Sequence, residues 1–295
     1  IDDPTILNQM NADGSDLRVA ESLIDPYNQT EGKLPYWIET PPSSGVLSFW
    51  VKVNLSANEN KTIFVYWSGR DVASESNGLS VFDWFDDFNG AHALSDYVIE
   101  DVGNQETPSY WEISGGVLYQ HSNIYYRFPP GNPSNPPNYN IGSVIKTPVS
   151  LNNFEVRIKV RPVDNDAGGI VFNYVSSNEH YAFAFSNDFW FEYNTPSSIR
   201  AIYKQIDDTS HVYLDYDNVE VSQTSITEFV LRKYNGQIEV YQNGALILSA
   251  SDNDYTTGYI GLFTNALYEG EFHAPFIIRK YVEPEPKVTI GEQIY

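Results

Sequence analysis

Residues 229–265 read FVLRKYNGQIEVYQNGALILSASDNDYTTGYIGLFTN, and this stretch decides the fold. Four short runs, residues 229–234, 237–241, 245–251 and 258–264, are separated by Asn235-Gly236, Asn243-Gly244 and Asp252-Asn253-Asp254. Asn-Gly between alternating runs predicts a two-residue hairpin, because both central residues of a type I′ turn need positive φ. Ile238 and Val240 fall on one face of their run, Glu239 and Tyr241 on the other; Leu246 and Leu248 oppose Ile247 and Ser249 in the same way. The stretch therefore reads as an antiparallel four-stranded meander with one buried face.

The rest of the chain has the same texture. Among 295 residues there are 22 Tyr, 16 Phe and 6 Trp, and β-branched and aromatic residues dominate every apolar run, which predicts an all-β protein. The net charge of −22 leaves no basic surface to displace counterions from phosphates, so nucleic acid is excluded as a partner. Cysteine is absent, which removes disulfides, thiolate metal sites and cysteine nucleophiles together. Three sequons, at Asn28, Asn54 and Asn60, point to an exported, glycosylated protein at the cell surface. No run of about 18 apolar residues and no signal peptide is present, so no membrane span is expected within this chain.

In the first part, NADGSDLRV is followed by LPYWIE, FWVKV, NKTIFVYW, SESNG and VFDWFDDF. Strands are expected at residues 17–20, 34–39, 46–53 and 62–67, with Leu47, Phe49, Val51 and Val53 on one face. This series of blocks, over residues 11–88, resembles the domain-of-unknown-function family 2341 of archaeal and bacterial surface proteins. The resemblance implies an exported location and supplies no catalytic residues. Only about ten residues precede the Asp13-Gly14-Ser15 turn, so the family's first strand is expected to be missing or displaced.

From Asp87 onward, FEVRIKV, GGIVFNY, HYAFAF, NGALIL and GYIGLF resemble the concanavalin A-like lectin and glucanase superfamily, near its laminin-G-like members. That resemblance implies a jelly-roll sandwich. The expected organisation is a small β-sandwich over residues 1–88, a larger antiparallel jelly-roll β-sandwich over 89–282, and a proline spacer with a last strand over 283–295. Residues 128–141, FPPGNPSNPPNYNI, hold five prolines and read as a stiff loop.

The superfamily's glycosidases imply carboxylates alternating along one strand, and no such strand is present. Glu269-Gly270-Glu271 comes nearest and reads as a surface pair, while Asp86 and Asp87 point to opposite faces of any strand. There is no Gly-x-Ser-x-Gly elbow, and the five histidines (92, 121, 180, 211 and 273) lack metal-site spacing. Calcium is the more credible ligand. Asp164-Asn165-Asp166 ranks first among four oxygen-rich turns, the others being Asp252-Asn253-Asp254, Asp207-Asp208 and Asp215/Asp217. Sugar platforms are sought at Tyr139, Trp190, Tyr193, Tyr203 and Tyr213, with Trp111 as a further candidate.

The expected function is a non-catalytic extracellular surface protein that assembles into a filament, pilus or lattice by β-strand addition. Val288, Ile290 and Ile294 of the tail, or residues 5–10, would supply the strand. The alternative is a monomeric carbohydrate-binding adhesin module, and a glycoside hydrolase or lyase stands third.

Overall fold

A computed structural model describes residues 1–103, 105–125, 141–187, 198–207 and 210–291. The chain divides into two compact units, Ile1–Phe82 and Asp83–Tyr295.

In the first unit, α1 (Pro4–Leu7) is one turn capped by Asp3, whose carboxylate accepts the Thr5 N–H at 2.7 Å. β1 (Arg18–Ala20) pairs antiparallel with β4 (Phe64–Tyr66), and β2 (Tyr36–Thr40) with β3 (Ser48–Val51). The turn α2 (Gly78–Val81) follows. Both ladders face one core of Leu7, Met10, Leu17, Val19, Tyr36 and Leu47, with Phe49 and Val51 packed against it, as the alternation of FWVKV predicts. Residues 5–10 are not the strand expected of them. They enter the core through Leu7 and Met10 on a helical turn, because the Asp3 cap and Pro4 favour a helix start.

The blocks of this unit are tied by two buried polar groups. Asp16 accepts the backbone N–H groups of Asn11 (2.8 Å), Ser68 (2.8 Å) and Gly69 (2.6 Å). Arg18 donates to the carbonyls of Ser15, Leu17 and Ala73 and pairs with Glu75 at 3.0 Å. The turn motif DGSDLR thus anchors segments some fifty residues downstream.

The second unit is a two-sheet antiparallel sandwich. Its strands are, in chain order, β5 (Trp84–Asp86), β6 (Val98–Asp101), β7 (Trp111–Ser114), β8 (Val117–Gln120), β9 (Ser143–Lys146) and β10 (Phe154–Pro162). Then come β11 (Ala167–Ser176), β12 (Glu179–Ser186), β13 (Ile199–Gln205), β14 (His211–Asp217) and β15 (Thr227–Tyr234). The last four are β16 (Gln237–Gln242), β17 (Ala245–Ser251), β18 (Tyr259–Asn265) and β19 (Gly270–Lys280). One sheet has the order β17-β16-β15-β10-β19-β8-β7, with β5 pairing the second half of β19; the other runs β14-β13-β12-β11-β18-β9-β6. Because Trp84–Asp86 joins this sheet, the junction falls after Phe82 rather than after Phe88.

Alternating residues of both sheets meet in one core. Phe154, Val156, Ile158, Phe229, Leu231, Ile238 and Phe272 face Ile170, Phe172, Phe183, Phe185, Ile202, Ile260 and Leu262, all at most 1 % exposed. Each such large side chain contributes about 1.5–3 kcal/mol on burial.

The opening stretch forms its two hairpins as read: Asn235 and Gly236 have φ of 49° and 84°, Asn243 and Gly244 of 49° and 81°. Two details differ. The register slips by one residue between Val240↔Leu248 and Tyr241↔Leu246, so Leu246 is 53 % exposed while Leu248 is buried. Ile247 is the extra residue of a bulge, which reverses the alternation beyond it. Moreover, only three of the four runs form a meander. β18 leaves for the other sheet and lies between β11 and β9. The polar turn before it is held on that sheet: Lys204 of β13 binds Asp252 at 2.6 Å and Asp254 at 2.5 Å, and the Tyr181 hydroxyl of β12 donates to Asp252.

The tail is also different. Residues 287–291 form no strand, and Val288 and Ile290 are 90 % and 79 % exposed; Ile294 lies outside the described residues. The spacer before them is fixed by Glu285, bound to Arg279 at 2.6 Å, and no ladder partner satisfies the backbone beyond it among the described residues.

Candidate functional site

Alternation along a strand places residues i and i+2 on one face, and three such pairs converge on the outer face of the sheet that carries β7, β8, β19 and β10. Glu112 is the register partner of Tyr119, Tyr119 of Glu271, and Glu271 of Arg161, which makes a row across four strands. One step along lies a second row of Tyr110, His121 and Glu269, in which the His121 N–H donates to the Tyr110 carbonyl at 2.9 Å.

The contacts within this patch are dense. His121 stands 2.9 Å from Glu269 through Nδ1 and 3.2 Å from Glu112 through Nε2, and the Tyr110 hydroxyl donates to the same Glu112 oxygen at 3.2 Å. The imidazole stacks on Tyr119, with centroids 5.4 Å apart and an 11° interplanar angle, and lies 5.1 Å from the Tyr110 ring. Arg161 forks onto Glu271, Nε donating at 2.7 Å and Nη2 to the other oxygen, and His273 meets Glu271 at 2.8 Å. Burial alone would raise the Glu271 carboxyl, but the bonds from Arg161 and His273 outweigh it and hold the group below the usual range. The Glu112 charge pushes the Tyr110 phenol up. Tyr110 is 57 % exposed, and Glu112, Glu269 and Arg161 are also open to solvent.

The surface thus offers flat rings at one end and a fork of donors and acceptors at the other. Rings of this kind stack on the C–H faces of a sugar, and carboxylates and guanidinium bond its hydroxyls. Beside it, a groove of about 630 Å³ is lined by residues including His92, Tyr110, Glu112 and Ile113. The ring of His92 stacks at 3.8 Å on Trp84.

Residues singled out from sequence lie mostly elsewhere. Tyr139, Trp190 and Tyr193 are outside the described residues. Tyr203 and Tyr213 are register partners on the outer face of the seven-stranded sheet, but Tyr203 is completely buried and is not an open platform. It packs with His180, whose imidazole stacks on Tyr174 at 5.2 Å. Trp111 is a core residue, its indole N–H donating to Ser143 at 3.0 Å. Glu269 and Glu271, read as a bare surface pair, are both held by histidines. Asp86 is buried and accepts the Tyr97 hydroxyl at 2.6 Å, while Asp87 caps the next turn through Asn89.

Among the oxygen-rich turns, Asp215 accepts the Ser249 N–H at 2.8 Å and Asp217 pairs with Arg200. Asp252 and Asp254 are taken by Lys204. Asp164 accepts the Asn165 N–H at 2.8 Å, and Asp208 lies outside the described residues. Among the described residues, no three His, Asp or Glu side chains are arranged to hold a metal ion. The sequon residues Asn28, Asn54 and Asn60 are exposed. No helix of the described residues is long and apolar enough to cross a membrane.

Residues 13–111 match the model of a protein family, the domain of unknown function DUF2341. A search of curated proteins returns no match. Among solved structures, the chain is similar to a Bacillus subtilis protein of unknown function with a galectin-like fold, at 13 % identity and TM-score 0.48, covering 68 % of this chain and 96 % of that one. It is similar to the carbohydrate-binding module CBM66 from Bacillus subtilis, at 11 % identity and TM-score 0.41, over 63 % and 92 % of the two chains. A mutant of the GH43 protein BlXynB from Bacillus licheniformis matches at 12 % identity and TM-score 0.44, over 80 % of this chain and 47 % of that one. At these identities and scores the likenesses carry no functional argument.

Proposed function

We propose that this chain is a non-catalytic, extracellular carbohydrate-binding protein of the cell surface, and that the patch of Tyr110, Tyr119, His121, Glu112, Glu269 and Arg161 binds the glycan. The observation that carries the reading is the pairing of the exposed Tyr110 ring and the half-buried Tyr119 ring with a histidine that two carboxylates hold in place. Such a set presents apolar faces and fixed polar groups to a polyhydroxylated ligand without side-chain ordering at the moment of binding. Calcium at Asp164 and Asp166 remains part of the proposal, tested by a calcium titration with the double Asp→Asn variant as control.

A glycan array probed with the whole chain, followed by analysis of the bound sugar for cleavage, tests this function. Retention of intact glycan supports it. Absence of binding, or release of shortened sugar, overturns it.

A second reading, self-association through the tail, is favoured by the exposure of Val288 and Ile290, two apolar side chains at strand spacing. Light scattering of the chain with and without residues 287–295 tests it: oligomers that vanish on truncation support it, and a monomer at all concentrations contradicts it.

A further inference from the structure

The interior of the sandwich holds a cation that the glycan patch does not use. Lys233 sits on β15 with Phe229 and Leu231 on the inward face, and its side chain is fully buried. Its Nζ donates to Asn173 Oδ1 at 2.7 Å and to the Tyr255 carbonyl at 2.6 Å, and lies 5.0 Å from the Tyr181 ring centroid. Both acceptors are neutral. The carboxylate whose charge reaches it, Asp252, is bonded instead to Lys204 and Tyr181. An ammonium ion buried without an anion in hydrogen-bond contact is an expensive arrangement.

Asn173 is equally unusual. It is buried, its φ is 45°, and it falls where β11 carries one residue more than β18, between Val171↔Gly261 and Tyr174↔Tyr259. A bulge re-aims a side chain. Here it aims a carboxamide from the seven-stranded sheet across the sandwich at a lysine of the opposite sheet. The carboxamide carbon is then within about 4 Å of Nζ, given a C=O length of about 1.2 Å, so a shift of roughly half an ångström brings the two to the ~3.5 Å of a near-attack geometry. Burial pushes the Lys233 amine down to about 8, so roughly a tenth of it is neutral and nucleophilic at pH 7.

We propose that Lys233 and Asn173 join in an intramolecular isopeptide bond that staples the two sheets together. Lys233 Nζ attacks Asn173 Cγ, a C–N bond forms, the bond from Cγ to Nδ2 breaks, and Nδ2 leaves as ammonia. The extra proton of the lysine ammonium leaves with it, so one ammonium ion is released and nothing is oxidised or reduced. The product is a neutral amide whose remaining N–H faces the Tyr255 carbonyl, and the buried charge is gone. In a chain without cysteine, the bond supplies the covalent cross-link that a disulfide cannot.

The test is the intact mass of the full chain, produced without glycosylation, followed by a digest. The expected mass is below the sequence value by about 17 Da, one ammonia, with a branched peptide joining residues 173 and 233. Lys233→Met restores the sequence mass. A wild-type chain at its full sequence mass overturns the proposal. So does a deficit that persists in Lys233→Met, since that would mark a succinimide at an Asn-Gly pair such as Asn235-Gly236.

Discussion

The carboxylate of Asp16 accepts the backbone N–H of Gly69 at 2.6 Å, across more than fifty residues of chain, while also holding Ser68 and Asn11. A carboxylate buried this completely stabilises through the donors it satisfies, and deleting it strands all three. Asp16→Ala is expected to destabilise the first unit by about 3 kcal/mol. Asp16→Asn keeps one acceptor oxygen and should cost less. Urea unfolding followed by the fluorescence of the unit's tryptophans measures both, and equal midpoints for the alanine variant and the parent chain would refute the role.

The hairpin glycines make a graded pair. Gly236 and Gly244 share a left-handed backbone, so alanine at either is strained by about 1 kcal/mol. A Cβ at Gly244 would meet nothing within 4 Å, whereas one at Gly236 would lie 3.0 Å from the Asn253 Cβ. Gly236→Ala should therefore lower the melting temperature more than Gly244→Ala. The reverse order in a thermal melt would contradict the turn geometry.

His180 sets an acid limit on the second unit. Burial pushes its imidazole down to about 4, from about 6.5 in the unfolded chain. Between these values the unfolded state binds the proton and the native state does not, so stability rises with pH through this window and is lost as pH falls through it. The full effect is roughly 3 kcal/mol. Above about pH 7 both states are neutral and His180 contributes no slope. His180→Gln, which cannot titrate, should flatten unfolding free energy against pH between about 6.5 and 4. An unchanged slope would mean that the imidazole is not buried as neutral.

Much of the fold was legible in the sequence where a local rule has one solution. Asn235-Gly236 and Asn243-Gly244 admit the positive φ that a type I′ turn demands, and the hairpins formed there. The destination of residues 258–264 was not legible, because alternation says which face is apolar and not which sheet receives the strand. In the structure the receiving sheet pairs the strand with β11 and β9 and also grips the turn before it, through Lys204 and Tyr181 at Asp252. Tyr203 shows a related limit. Its strand, β13, is buried on both faces, so alternation did not imply exposure. The candidate site was written in three i, i+2 pairs, Tyr110/Glu112, Tyr119/His121 and Glu269/Glu271. Each is unremarkable alone, and they meet only through the register of β7, β8 and β19.

The central claim is that the face bearing Tyr110 and His121 binds carbohydrate, and calorimetric titration with a glycan that the wild type retains tests it most directly. Tyr110→Ala and His121→Ala are expected to weaken affinity at least about tenfold, roughly 1.4 kcal/mol, with melting temperatures close to the parent's. Wild-type affinity in both variants would contradict the account.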